Sequence, residues 1–97
     1  MRIISKKKLK EFWRAHPDSK DAFEAWYAEA KAAAWKNPAE IKTQHGSASI
    51  LKDSRVVFNV GGNKYRLVVK INYPFSVVYV RFVGTHKEYD AIDAEVV

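Results

Sequence analysis

The sequence predicts an α+β domain, in which an N-terminal helical hairpin packs on one face of a mainly antiparallel sheet and a short helix follows the last strand. Apolar residues recur at three- and four-residue steps in the first third of the chain, as in amphipathic helices. From residue 55 the apolar period changes to two, which is typical of strands with one buried face. Because helices and strands occupy separate parts of the chain, the α+β class follows.

The first part of the chain contains two predicted helices. Ser5 is predicted to cap the first helix, which ends at His16-Pro17 because the residue before proline avoids the helical region. Asp18 or Ser19 is predicted to cap the second helix, which is expected to stop at Asn37-Pro38. Its apolar stripe consists of Phe23, Trp26, Tyr27, Ala30, Ala33 and Ala34. The short turn between the helices indicates an antiparallel hairpin.

The strands are predicted on either side of this hairpin. Residues 2–4 are predicted to form an edge strand, and residues 39–54, which lack a clear period, a connection. Three strands are predicted over residues 55–60, 64–71 and 77–83. Their separators have hairpin length, so the three should form an antiparallel meander. Thr85 and Glu88 are spaced as a capping box that opens the short last helix.

Length and composition limit the class of protein. The 97 residues are enough for one domain, residues 1–97, with one modest core. The absence of cysteine excludes a disulfide framework and a cysteine-based zinc site. No apolar run approaches the ~20 residues of a membrane helix and no signal peptide is recognised, so no membrane association and a cytoplasmic location are expected.

The chain is basic, with 17 Lys and Arg against 11 Asp and Glu and a net charge of +6. The excess lies in residues 1–20 and 46–70. A polyanion such as nucleic acid is therefore a candidate partner, and the alternative is that the charge serves solubility alone.

Sorting the strand residues by face separates an apolar face from a basic one. The apolar set, expected to face the helices, is Val56, Phe58, Val60, Tyr65, Leu67, Val69, Ile71, Val78, Val80 and Phe82. The opposite set is Arg55, Val57, Asn59, Lys64, Arg66, Val68, Lys70, Val77, Tyr79, Arg81 and Val83. The second set holds five cations and no carboxylate, which suggests a partner from outside the chain. The alternative is that the Lys and Arg stems cover the sheet and protect its edges.

Two places are candidates for chemistry. Arg66 lies on the central strand and has a planar fork that fits a phosphate. His86 is expected at the first position of the last helix, with Tyr89 on the same side, where an imidazole can exchange protons near neutral pH. The alternative is an ordinary surface histidine. The histidines lack paired spacing, so neither a metal site nor a cofactor is predicted.

Two motifs resemble the HigB toxins, mRNA interferases of bacterial type II toxin–antitoxin modules with a RelE/ParE-like fold. They are VVFNVGGNKYRLVV at residues 56–69 and FVGTHKEYD at residues 82–90. The resemblance implies a ribosome-dependent endoribonuclease that cuts translated mRNA. It also implies a HigA-type helix-turn-helix antitoxin as partner.

The resemblance also implies roles for residues at matching positions. The catalytic residues would be Arg66, His86 and Tyr89. Asn59 also falls on a matching position and would bind RNA. The other RNA-binding candidates are expected from their charge or ring and are Arg55, Lys64, Lys70, Tyr79, Arg81 and Lys87. Because the ribosome is mostly RNA, the lysines of the first helix are expected to bind it: Lys6, Lys7, Lys8 and Lys10. The expected reaction is attack of the 2′-hydroxyl on the adjacent phosphate, without a metal.

Other functions fit the same sequence. A ParE-like toxin would share the fold and act on gyrase, and a non-catalytic RNA-binding module would need only the basic face. A degenerate toxin would keep only antitoxin binding. Because a face rich in cations resists packing against itself, the free protein is expected to be a monomer.

Overall fold

Five strands form one mixed sheet in the computed structural model, which describes residues 1–97. The strands are β1 (Arg2–Ile4), β2 (Ser49–Ile50), β3 (Arg55–Val60), β4 (Tyr65–Asn72) and β5 (Val77–Thr85). Their order across the sheet is β1-β5-β4-β3-β2, with β1 parallel to β5 and the other neighbours antiparallel. The predicted edge strand and the predicted meander of β3, β4 and β5 are therefore confirmed.

Four α-helices accompany the sheet. They are α1 (Lys6–Ala15), α2 (Lys20–Ala32), α3 (Pro38–Gln44) and α4 (His86–Asp90). A 3-10 turn over Pro17–Ser19 joins α1 to α2, and the two helices contact each other. The α+β class and the short C-terminal helix are confirmed. No helix is long and apolar enough to cross a bilayer.

The region between α2 and β3 differs from the prediction of an irregular connection. It contains α3 and the short strand β2. Asn37-Pro38 begins α3 instead of stopping α2, because the Asn37 side chain accepts a hydrogen bond from the Glu40 amide at 3.1 Å and proline suits the first helical position. Ser5 and Ser19 stand at the predicted N-cap positions of α1 and α2, but neither side chain caps its helix. The Ser5 side chain makes no cap bond, and the Ser19 hydroxyl donates to the His16 carbonyl at 2.7 Å.

The main core lies between the sheet and the helices. It joins Leu9 of α1 and Phe23 of α2 to Phe58 and Leu67 of the central strands, all essentially inaccessible to solvent. The Trp26 ring meets the Phe58 ring edge to face at 5.3 Å between centroids. The helices therefore cover one face of β3 and β4, and the opposite face is not part of this core.

A β-bulge in β5 corrects the predicted faces. Val68 pairs with Phe82 while Val69 pairs with Val80, so Arg81 is an extra residue in β5. Beyond it the alternation reverses. Phe82 packs with Val68 on the face away from the helices, and Val83 packs against the main core. The predicted sides of these two residues were wrong because simple alternation assumes an uninterrupted ladder.

A hydrogen bond ties the turn between α1 and α2 to the start of β4. The Tyr65 hydroxyl donates to Asp18 Oδ2 at 2.6 Å. This bond lowers the pKa of Asp18 below its ordinary 3.8 and raises the pKa of Tyr65 above its ordinary 10.0. The contact therefore stabilises the fold while Asp18 is ionised and Tyr65 is protonated.

We expect Asp18→Asn to make the free energy of unfolding depend less on pH in the acid range. A carboxyl group whose pKa is lowered on folding stabilises fully above its unfolded pKa, and the contribution is lost as the pH falls through the folded value. The difference in unfolding free energy between wild type and variant should be constant above about pH 5 and shrink below pH 3.8. Urea denaturation over a pH series measures it. A difference that stays constant throughout the acid range would contradict this role.

Candidate active site

A buried arginine forms the centre of the candidate site. Arg66 lies on β4 between Asn59 of β3 and Gly84 of β5, and only 7% of it is exposed. Its guanidinium donates to the Asn63 side-chain oxygen at 2.6 Å and to the main-chain oxygens of Asn63 and Tyr65 at 3.3 and 3.1 Å. No carboxylate forms an ion pair with it. The positive charge is thus held in place by neutral oxygens and has no carboxylate partner within the chain.

The capping box of α4 positions this helix beside β4. The Thr85 hydroxyl accepts from the Glu88 amide at 3.1 Å, and the Glu88 carboxylate accepts from the Thr85 amide at 2.8 Å. The second bond lowers the pKa of Glu88. The His86 amide donates to the Lys64 carbonyl at 2.9 Å, which fixes the first turn of α4 at the start of β4. The predicted capping box is confirmed.

Tyr89 lies against the buried arginine. Its ring centroid is 5.9 Å from Arg66 Cζ, which is within the range of a cation–π contact. Gly84 of β5 pairs with Arg66, and a Cβ atom on it would lie 2.5 Å from the Phe82 ring. Only glycine therefore leaves room for the Phe82 ring at this position. The structure therefore brings Arg66 and Tyr89 together, as the sequence analysis expected of a common site.

The side chain of His86 has a partner that the sequence analysis missed. His86 Nδ1 is 3.2 Å from Asp90 Oδ2, one helical turn away, and both side chains are about half exposed. This partner, rather than Tyr89, lies beside the imidazole. A carboxylate at Nδ1 fixes the ring orientation and leaves Nε2 free toward solvent. The i, i+4 spacing of the two residues was the available signal.

The predicted RNA-binding residues are not equally accessible. Lys64, Lys70, Tyr79, Arg81 and Lys87 are exposed, as is Asn59, whose side chain donates to the Ser47 carbonyl at 3.4 Å. Arg55 is 9% exposed, and its guanidinium donates to the Val97 carbonyl. Its placement on an open face was therefore wrong in this conformation.

The C-terminal residues explain this burial. Residues 91–97 cross the face of the sheet away from the helices, where Ile92, Ala94 and Val97 pack with Val57 and Val68. Arg81 Nε also donates to the Val97 carbonyl, at 3.3 Å. The expected continuous basic face is thus divided by an apolar cluster. Lys64 is also not free of acids, since its Nζ lies 4.0 Å from Asp18.

The lysines of α1 also differ in availability. Lys6 Nζ lies 4.5 Å from the centroid of the Tyr27 ring, and Lys8 Nζ donates to the Val80 carbonyl at 3.3 Å. Lys7 forms an exposed i, i+4 pair with Glu11 at 3.8 Å, and Lys10 is exposed without an ion pair. Lys7 and Lys10 are therefore the members of this set whose charge is most available to a partner.

Ligands for a metal are not clustered in the molecule. No group of three or more His, Cys, Asp or Glu side chains lies close enough together to hold an ion. The chemistry available at the site is that of an imidazole, a phenol and a guanidinium, which suits proton transfer and stabilisation of a negative charge.

The fold is that of a small α+β domain, with Arg66, Tyr89 and the helix that carries His86 at one end of its sheet. A family model described as HigB_toxin, the RelE-like toxic component of a toxin–antitoxin system, matches residues 19–92. The chain belongs to this family of HigB toxins. Membership implies an antitoxin partner.

Curated relatives agree with this assignment. The mRNA interferase toxin HigB of Escherichia coli strain K12 is 34% identical over 96 residues, which cover 97% of this chain and 92% of the relative. An mRNA interferase HigB from Shigella flexneri has the same identity and coverage. Another, from Escherichia coli O6:H1, is 30% identical over 94 residues, covering 95% of this chain and 91% of the relative.

Proposed function

We propose that the protein is a ribosome-dependent endoribonuclease that cleaves translated mRNA and is neutralised by a HigA-type antitoxin. The single observation that carries the proposal is the buried guanidinium of Arg66, which has no acidic partner and lies against Tyr89 beside the helix that presents His86. The names of the curated relatives, all mRNA interferases, support the same activity.

The proposed reaction is an internal transfer of the phosphate, without a metal. The RNA 2′-oxygen forms a bond to the adjacent phosphorus as the bond to the 5′-oxygen breaks, which yields a 2′,3′-cyclic phosphate and a 5′-hydroxyl. His86 Nε2 either takes the proton of the attacking 2′-hydroxyl or gives a proton to the leaving 5′-oxygen, and water exchanges the other proton. Arg66 stabilises the charge that develops on the phosphate oxygens, and the Tyr89 hydroxyl orients that phosphate.

The exposed cations around this cluster would hold the rest of the RNA. Lys64 and Lys87 flank the start of α4, and Arg81 and Lys70 lie further along the strands. Contacts of this kind position the sugar–phosphate backbone without reading its sequence. Arg55 would join them only if residues 91–97 moved from the sheet, because its guanidinium is bonded to Val97.

The free face of α1 is proposed to bind ribosomal RNA. Replacing both Lys7 and Lys10 by Glu is expected to weaken ribosome binding by at least about tenfold and to make its salt dependence shallower, since fewer counterions are released. The folded state should persist, because neither ammonium group bonds to the main chain. Sedimentation with ribosomes over a salt series measures both effects.

Lys36→Glu is the matched control for this prediction. Lys36 is also exposed and outside any ion pair, but it precedes α3. Equal ribosome affinity of the double variant and the control would remove the proposed role of α1.

The decisive experiment is primer extension on a translated message after the toxin is induced. Defined cuts that appear only in translated regions support the interferase. Intact message together with inhibited gyrase would favour a ParE-like toxin, which shares the fold and has no need of His86 or Tyr89. RNA binding that falls steeply with salt, without cuts, would reduce the protein to a binding module.

The expected partners follow from the same proposal. A short helix-turn-helix antitoxin should copurify with the toxin when both are expressed together. The free toxin is proposed to be a cytoplasmic monomer, because like charges on its exposed face oppose self-association. Sedimentation equilibrium of the isolated protein tests this state.

A further inference from the structure

A cleft lies at the end of the sheet away from α4, beside the turn that joins β4 to β5. Its volume is about 290 Å³, and its walls include Ser54, Lys70, Asn72, Tyr73 and Tyr79. No carboxylate lines it. Lys70 and Arg66 lie on the same face of β4, four residues and therefore about 13 Å apart. The cleft is thus separate from the candidate active site but on the same strand.

The charge around the cleft lacks compensation from within the chain. Lys70 stands directly opposite Arg55 on β3, and like charges at such a position destabilise a sheet. Arg55 is bonded to the Val97 carbonyl, whereas Lys70 forms no ion pair. Lys70 is therefore a candidate to bind an anion that comes from outside the chain.

An aromatic ring stands beside that lysine. Tyr79 is the cross-strand partner of Lys70 on β5, and 38% of it is exposed, although the residue is large and apolar over most of its surface. Single-stranded nucleic acids bind to this combination, in which a base stacks on a ring while a cation holds the neighbouring phosphate.

The polar groups of the cleft are mostly donors. The Tyr73 hydroxyl is buried without a hydrogen-bond partner, and burial raises its pKa, so it stays protonated at neutral pH. The Asn72 side-chain oxygen accepts from the Phe75 amide at 3.2 Å, which leaves its amide group to donate. Ser54 has φ of 60°, an unusual value for a residue other than glycine, and its carbonyl accepts from the Ile71 amide at 2.9 Å. Donors in a fixed pocket suit the acceptor-rich edge of a base.

We infer that this cleft is a base-binding subsite for the RNA strand, in which Tyr79 stacks on one base while Lys70 binds the phosphate next to it. The inference rests on the proposed function, because it extends the RNA from Arg66 along β4. It assigns base recognition to Ser54 and Asn72, neither of which the sequence predicted to bind RNA.

The test measures the affinity of a short RNA that cannot be cleaved because its 2′-hydroxyls are methylated. Fluorescence anisotropy is used with the full chain, and thermal melting verifies that each variant is folded. Tyr79→Leu should weaken binding by about tenfold, since the stacked base is lost. Tyr79→Phe keeps the aromatic ring and should lose less RNA affinity than Tyr79→Leu. Phe75→Leu is the matched control, because Phe75 is 77% exposed in the same turn but does not line the cleft.

A second measurement separates this inference from the proposed function. Each variant is also assayed for cleavage of a translated message. If wild type cleaves and Tyr79→Leu binds RNA as tightly as Phe75→Leu, the subsite is refuted and the nuclease stands. If wild type does not cleave but binding still depends on the Tyr79 ring, the nuclease is refuted and the RNA subsite stands. Absence of RNA binding by folded wild type would overturn the subsite.

Discussion

Replacing Arg66 by methionine is expected to lower the rate of mRNA cleavage by about 10²–10³-fold, the usual loss when a group that stabilises transition-state charge is removed. The folded protein should lose little stability, because the only groups left without a partner are oxygens of Asn63 and Tyr65 that lose a hydrogen-bond donor. Arg66 is 7% exposed and has no acidic partner, so its removal leaves no unpaired charge behind. A long apolar side chain fills the same space and avoids the cost of keeping a guanidinium away from water.

The different sizes of these two effects make the prediction specific. A purely structural arginine would lose stability and activity together. Arg66→Lys should not restore the rate, because an ammonium group cannot bond to Asn63 and a phosphate through a planar fork. Lys20→Met is the control and should keep both properties, because Lys20 is the exposed first residue of α2 and is paired only with Glu24. Urea denaturation and cleavage on programmed ribosomes measure the two quantities, and full cleavage by Arg66→Met would remove this residue from the mechanism.

The parts of the fold that were predicted correctly depend on local patterns. The meander of β3, β4 and β5 follows from alternation and from separators of hairpin length, both of which are visible in short windows. The capping box of α4 likewise depends on two residues, Thr85 and Glu88, and the atoms form both expected bonds.

The parts that were missed depend on long-range or ambiguous signals. Helix α3 has seven residues, of which Ile41 alone is buried, so it presents too few apolar positions to display a period. Asn37-Pro38 can end one helix or begin the next, and here it begins one. The bulge at Arg81 has no glycine or proline beside it to mark the break in alternation.

The candidate site was also predicted only in part, and the missed part again depends on three-dimensional geometry. Arg66 was predicted as a site residue because it lies at the centre of a strand face and no carboxylate nearby in the sequence could pair with it. Asp90 and Asn63 were missed, since their contacts with His86 and Arg66 depend on side-chain geometry. The C-terminal cover over Val57 was also missed. Its apolar residues have no regular spacing, although the valines on the supposedly basic face implied that something covers them.

Replacing His86 by alanine is expected to lower the cleavage rate on programmed ribosomes by about 10²–10⁴-fold, the range typical of general acid–base groups. His86 is half exposed and its imidazole makes no contact with the core, so stability should change little. The contact that fixes the start of α4 is made by the His86 amide, and alanine keeps it. The loss should appear in kcat, because the imidazole acts on the reacting proton and contributes little to RNA affinity.

Asp90→Asn gives the companion test of how the imidazole is held. Asp90 lies 3.2 Å from His86 Nδ1, and we expect it to act as a positioning residue whose loss lowers kcat, less than His86→Ala does, without raising KM. Asp90→Glu keeps a carboxylate at the same helical turn and should recover part of the rate. Asp93→Asn is the matched control, because its carboxylate accepts only from the Glu95 amide at 2.9 Å. If His86→Ala cleaves as fast as wild type, proton transfer must be reassigned to the nearby cations Lys64 and Lys87. Asp90 would then lose its proposed role as well, because that role is to position the His86 imidazole.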